Sequence, residues 1–126
     1  MKTIATRTLP NEQATAEEVF GWGLREFGDR LALCTSFQAE GMVLLDMAHC
    51  LAPGGYRVFT IDTGRLPEAT HELMAEVRKR YGVSIEVVYP ETSEVASMVS
   101  GYGLNLFYES VAKRQLCCEL RKVRPL

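Results

Sequence analysis

Three short apolar runs, Leu31 to Cys34, Tyr56 to Ile61 and Val83 to Tyr89, alternate along the chain with stretches of helical periodicity. Strands joined by helical connections of ~10–15 residues predict a parallel sheet with helices on its faces, an α/β fold. The helical segments carry their own start and stop signals. Thr15-Ala16-Glu17-Glu18 is a capping box, in which a hydroxyl and a carboxylate satisfy the first orphan amides of a helix. Val19, Phe20, Leu24 and Phe27 then recur at helical spacing up to Gly28. Ala39 to Leu51 predicts a second helix, with Met42, Leu45, Met47, Ala48 and Leu51 mainly inward, and Pro53-Gly54-Gly55 a turn. Pro67 suits the first turn of a helix running to about Tyr81 and stopped by Gly82. Glu91 to Ser100 predicts another helix, Gly101 to Gly103 a break, and Asn105 to Cys117 loop and helix; the opening residues to Ala14 read as a loose arm.

A length of 126 residues fits one domain, spanning 1–126, with a modest core. With 47% hydrophobic and 24% charged residues, disorder is a poor reading. No apolar run approaches the ~20 residues that span a bilayer. Met1 to Asn11 carries two basic residues and no apolar h-region, so the expectation is a cytoplasmic protein without a secretory signal. The net charge of −2 gives no global reason to expect nucleic acid. Its distribution says more: from Lys113 to Leu126 there are five basic residues and one acid, Glu119. A local positive field beside two thiols favours an anionic ligand or cluster. Nucleic acid is the weaker reading of this tail, because aromatic interleaving and a large basic face are missing.

Parallel sheets bind ligands beyond the carboxyl ends of their strands, and two loops of interest lie there: Thr35 to Gly41 and Asp62 to Arg65. The first joins a strand to a helix start. A phosphate or sulfate can sit on Thr35, Ser36 and the following amides, because the first amides of a helix are unsatisfied and the dipole is positive. Equally, Thr35 or Ser36 can simply cap the helix. The loop lacks the Gly-Lys-Ser/Thr ending of a Walker motif. In the second loop, Asp62 can cap the next helix, hold a ribose or order its neighbours; Gly64 allows close backbone approach or positive φ, and Arg65 can meet an anion. A plain structural turn competes with that reading.

Cys117-Cys118 is the sharpest local feature. Adjacent cysteines are poor disulfide partners, because the ring they close is strained. As paired thiolates near Arg121 and Lys122 they make better sense as metal ligands. Cys34 and Cys50 read as buried small hydrophobes. His49 and His71 lack zinc spacing and read as structural or surface residues. Glu68, Glu72, Glu76, Arg78 and Lys79 read as a solvated helix face.

Together, four stretches resemble the adenylyl-sulfate and phosphoadenylyl-sulfate reductase family: Ser36-Phe37-Gln38-Ala39-Glu40 with Met42 to Asp46; Ile61-Asp62-Thr63-Gly64-Arg65-Leu66-Pro67; Asn105 to Ser110; and Cys117-Cys118-Glu119-Leu120-Arg121-Lys122-Val123-Arg124-Pro125-Leu126. The resemblance implies a PP-loop, adenine nucleotide alpha hydrolase-like fold and assimilatory sulfate reduction: adenylyl sulfate and a dithiol give sulfite and AMP, with thioredoxin as electron donor. It implies that Thr35, Ser36 and Phe37 lie on the phosphosulfate side. Ile61 would offer backbone groups to the adenine beside Asp62 and Gly64. Cys117 and Cys118 would ligate a 4Fe–4S cluster, the mark of the branch using adenylyl sulfate. Lys122 would act electrostatically between cluster and substrate anion. In such enzymes a late cysteine attacks the sulfate sulfur, AMP leaves, and thioredoxin releases sulfite from the Cys S-sulfonate.

The chain departs from that pattern. Gln38 stands where many members have Gly. The second cluster pair, Cys-x-x-Cys, and the Glu-Cys-Gly-Leu-His segment with the nucleophile are absent from the sequence. The expectation is therefore a truncated enzyme, inactive alone. The alternatives are a non-catalytic adenine-nucleotide-binding module, a reductase for the 3′-phosphorylated substrate, or a scaffold holding a cluster between two chains; a homo-oligomer is compatible with each.

Overall fold

A computed structural model describes residues 8–126, so the first seven residues of the expected loose arm lie outside it. Residues 8–15 hold no helix or strand. Helix α1 (Ala16–Phe27) leads through a 3-10 turn (Gly28–Arg30) to strand β1 (Ala32–Cys34). Then come α2 (Ala39–Leu51), β2 (Arg57–Ile61), α3 (Glu68–Tyr81), β3 (Ile85–Val88) and α4 (Thr92–Tyr102). A second 3-10 turn (Leu106–Tyr108) precedes α5 (Val111–Cys118), which runs straight into a π-helical turn (Glu119–Val123). Among the described residues no helix is long and apolar enough to cross a membrane.

The strands form one parallel sheet in the order β1-β2-β3, with Leu33 beside Val58 and Val58 beside Ile85. The expected parallel sheet flanked by helices is therefore present. Two backbone bonds carry the ladder past the strand ends: the Thr35 amide donates to the Phe59 carbonyl at 3.1 Å, and the Asp62 amide to the Val88 carbonyl at 2.9 Å. Both loops of interest thus start from fixed backbone. The capping box also forms, with Glu18 N–H on the Thr15 hydroxyl at 3.2 Å and Thr15 N–H on the Glu18 carboxylate at 2.8 Å.

The core has two parts. Phe37, Leu45, Val58 and Val77 form one beneath the strand tips. Met98, Leu106, Cys117 and Leu120 form the other, between α4 and α5. Leu45, Val58 and Leu106 are fully buried, each worth about 1.5–3 kcal/mol of hydrophobic stabilisation. The second cluster decides where the vicinal cysteines sit, because Cys117 is itself one of its members.

Several expectations need correction. Cys34 and Cys50 are exposed, not buried, and so is Leu51 at 42%. Cys34 ends a strand at the sheet edge. Leu51 lies six residues beyond Leu45, about 120° round the helix, and Cys50 is further round still. Helix α4 also runs through Gly101 and Tyr102, stopping at Gly103, whose φ of 87° suits glycine.

Helices α2 and α3 are pinned together by the Tyr81 hydroxyl, which donates to Asp46 at 2.9 Å; His49 Nδ1 lies 3.2 Å from the Tyr56 hydroxyl. The bond to Asp46, then burial, raises the Tyr81 pKa above the ordinary phenol value, and burial leads the same effect at Tyr56. A tyrosine with a raised folded-state pKa contributes stability that is complete below about pH 10 and is lost as pH rises through the raised value. Tyr81→Phe is expected to cost about 0.5 kcal/mol at neutral pH. It should also make the alkaline limb of a plot of urea midpoint against pH shallower; an unchanged limb would remove this contact from the account.

Candidate functional site

The parallel strands point their carboxyl ends the same way, and the loops leaving β1 and β2 open a cleft of about 690 Å³ there. Helix α5 and the π-helical turn form the facing wall. The size suits a small-molecule ligand, for which ~300–1,000 Å³ is usual.

The first loop contributes Thr35, Ser36, Phe37 and Gln38. Thr35 is buried, and its hydroxyl accepts the Phe37 amide at 2.9 Å. Phe37 takes a φ of 61°, unusual for a residue with a side chain. Its ring is 5% exposed and packs with Leu45 and Val58. The phenyl group therefore anchors a strained turn in the core while the loop's backbone borders the cleft. Gln38 is the N-cap of α2, with φ −79° and ψ 172°, an extended conformation open to any residue. Glycine is not needed there; the positive φ falls one residue earlier. Neither Thr35 nor Ser36 caps α2, which has no side-chain cap bond. Its first amides are left for solvent or a ligand. Gly41 in the first turn of α2 makes room for this arrangement: a Cβ there would lie 2.1 Å from Thr35 Oγ1.

The second loop contributes Ile61, Thr63 and Arg65 to the cleft, whereas Asp62 and Gly64 are not part of its lining. Of the roles open to Asp62, the structure displays loop ordering: one carboxylate oxygen accepts the Gly64 amide at 2.9 Å and the other lies 3.3 Å from His71 Nε2. Gly64 has a φ of 77°. The Thr63 hydroxyl accepts the Arg65 amide at 3.2 Å. Arg65 then reaches out to donate to Asn105 Oδ1 at 3.0 Å, with its guanidinium 5.0 Å from the centre of the Phe107 ring.

The facing wall carries Arg114, Cys117, Cys118, Arg121 and Lys122. Cys117 is buried, Cys118 half-buried and Lys122 exposed. The cleft is thus lined by four cations, Arg65, Arg114, Arg121 and Lys122, and by no Asp or Glu. The other basic residues of the C-terminal stretch are neutralised elsewhere: Lys113 pairs with Glu109, and Arg124 with Glu94. A positive field walled by low-dielectric protein concentrates anions.

Sequence reasoning gave Arg114, Arg121 and Phe107 no site role of their own, although Arg121 was named beside the thiols and Phe107 fell within the Asn105 to Ser110 stretch. A signal existed for two of them: Arg114, Cys117, Cys118 and Arg121 recur at helical spacing, so whatever faces the cysteines faces the arginines too. Phe107 carried no such pattern. Two neighbouring thiols among cations match the donor type of an iron–sulfur cluster. Among the described residues, however, no group of three or more His, Cys, Asp or Glu can hold a metal ion. The pair supplies two of the usual four thiolates.

Residues 30–126 match the model of the phosphoadenosine phosphosulfate reductase domain. An adenosine 5′-phosphosulfate reductase of Allochromatium vinosum is 43% identical over 98% of this chain and 48% of that protein. One from Burkholderia cepacia is 37% identical over 100% of this chain and 51% of that protein. The chain spans about half the length of these curated relatives. A crystal structure of the phosphoadenylyl-sulfate reductase of Candida auris, a phosphate complex, superposes with a TM-score of 0.71 at 25% identity, covering 90% of this chain and 53% of that one.

Proposed function

Because the chain belongs to the phosphoadenosine phosphosulfate reductase domain family, we propose that its cleft binds adenylyl sulfate and serves the reduction of that sulfate to sulfite and AMP, with thioredoxin supplying the electrons. The observation that carries this reading is a single cleft at the strand tips that gathers four cations, no carboxylate and the Cys117-Cys118 pair. The relatives named above act on adenosine 5′-phosphosulfate, and the Candida auris structure is a phosphate complex.

In this reading 1–126 is a single nucleotide-binding domain. The Thr35–Phe37 turn and the free amides of α2 take the phosphosulfate, the Ile61 backbone meets the adenine, and Asp62 and Gly64 hold that strand tip in shape. Lys122 and its neighbouring arginines stabilise the charge that gathers on AMP as it leaves. Cys117 and Cys118 are two ligands of a 4Fe–4S cluster whose remaining thiolates come from elsewhere; bound, it supplies local charge. The four free cysteines suit a reducing, cytoplasmic setting. No cysteine here takes the place of the family's nucleophile, so these 126 residues bind nucleotide and leave turnover to a nucleophile they do not contain.

Titration calorimetry on the purified chain tests the reading. AMP and adenylyl sulfate are expected to bind, at least about tenfold more tightly than adenosine, because the phosphate is what the cations recognise. Adenosine 3′,5′-bisphosphate should show no gain over AMP. A clear preference for the bisphosphate would favour the 3′-phosphorylated substrate instead. Sulfite release from adenylyl sulfate by this chain with thioredoxin would overturn the assignment of binding without turnover.

A further inference from the structure

Arg121 is the odd group in the cleft. It is 5% exposed, yet neither the ion pairs nor the hydrogen bonds of the described residues give it a carboxylate. Its Nη1 donates to the Thr63 carbonyl at 2.6 Å across 58 residues of chain, and its buried Nε has no partner. Gly64 accommodates it closely, since a Cβ there would lie 3.0 Å from Nη1. A buried guanidinium with one acceptor and no counter-charge is an incomplete arrangement, because such a group normally keeps several donors paired. The cleft it borders is where an anion would complete it.

Arg121 also follows Cys117 and Cys118 by four and three residues, within the π-helical turn that continues their helix. Such turns break the regular hydrogen-bond ladder and are frequent at functional sites. The guanidinium therefore bridges three things: the turn after β2, the cysteine-bearing segment, and the space for the ligand.

We propose that Arg121 is a positioning residue that couples anion occupancy of the cleft to the packing of the Cys117-Cys118 segment. This deepens the nucleotide-site reading and rests on it for the identity of the anion, though not for the coupling. With the cleft empty, the Thr63 contact is the one hydrogen bond by which Arg121 ties the π-helical turn to the loop after β2, while Leu120 packs the turn on the second core. A bound phosphate or sulfate supplies the missing counter-charge, tightens the turn and makes rarer the openings that expose the buried Cys117 and half-buried Cys118 to solvent. By linkage, ordering the cysteine segment tightens anion binding by the same factor.

The test reads thiol accessibility in the reduced 126-residue chain. Alkylation rates of Cys117 and Cys118 are measured by peptide mass spectrometry, with the exposed Cys50, which does not line the cleft, as internal reference. Each protein is studied with and without saturating inorganic sulfate, which is too small to shield the thiols as AMP would. Sulfate is expected to slow the pair about tenfold in the wild type, within the usual range of coupling between sites, and to leave Cys50 unchanged. In Arg121→Lys the slowing should fall below about twofold even at saturation, since an ammonium cannot bridge as a guanidinium does. Gly64→Ala, which crowds the same contact while keeping the charge, should weaken it as well, and keeps the test open if the lysine variant does not fold. Full protection in Arg121→Lys, or bound sulfate without protection in the wild type, overturns the proposal. If sulfate protects through Arg121 while AMP fails to bind, the coupling stands and the nucleotide reading falls. If neither ligand binds, both fall.

Discussion

Gly41→Ala is expected to destabilise the chain by about 2 kcal/mol and to weaken AMP binding at least about tenfold. The outcome is not obvious, because two effects oppose each other. Gly41 lies in the first turn of α2 without a positive φ. Alanine is the better helix former there by about 1 kcal/mol. Against this, the new Cβ would fall 2.1 Å from the Thr35 hydroxyl oxygen and 3.1 Å from Thr35 Cβ. Thr35 has no easy escape: it is 4% exposed, its amide is tied to the Phe59 carbonyl, and its hydroxyl holds the Phe37 amide. Rotating the side chain orphans that amide, at about 1–3 kcal/mol. Moving the loop instead draws the Phe37 ring out of the core, and overpacking costs of this kind run to about 1–3 kcal/mol. Sterics therefore outweigh propensity. Because the displaced turn is one edge of the cleft, affinity falls together with stability. Urea melts and calorimetry on the same sample check both; a variant at least as stable as the parent, with unchanged AMP affinity, would show that Thr35 does not shape the site.

Lys122→Glu should behave in the opposite way, with folding preserved and binding lost. Lys122 is exposed, its side chain has no hydrogen bond or ion pair among the described residues, and it lines the cleft. Its replacement should shift stability by no more than about 0.5 kcal/mol. For an anionic ligand, reversing a charge in a cleft already lacking carboxylates is expected to remove about 2–3 kcal/mol of binding. That is roughly a 30- to 150-fold loss of AMP or adenylyl sulfate affinity. Lys122→Gln should lie between the two. The gap should be widest in dilute buffer and should shrink with added salt, as the Debye length falls from about 30 Å at 0.01 M to about 8 Å at 0.15 M. Equal affinities at low ionic strength would take Lys122 out of the site.

Much of the architecture was legible because its causes are local. The Thr15–Glu18 box forms as read, and the strand-and-helix alternation yields the parallel sheet. Positive φ at Gly64 and Gly82 falls where the turn and the helix stop were expected. Misreadings arose where burial depends on a distant partner. Cys34 and Cys50 looked like core residues by type, but Cys34 opens onto the cleft and Cys50 is exposed on α2. Phe37 stands in the loop that borders the cleft, and its ring serves the core. Asp62 offered three roles on paper, and only the positions of Gly64 and His71 show which contacts it makes.

The sequence alone determined the class of fold, the two loops at the strand tips and the chemical character of the Cys117-Cys118 segment, since periodicity, turn residues and vicinal thiols act over a few neighbouring positions. Only the tertiary structure decided that two loops far from that segment in sequence, Thr35 to Gly41 and Asp62 to Arg65, face it across one cleft. It also decided that Arg121 is buried with one donor on the Thr63 carbonyl while Lys122 stays exposed. Adjacent cations read alike along a chain. Burial and the backbone carbonyl of a remote turn make them different, and both come from the π-helical turn meeting the loop after β2.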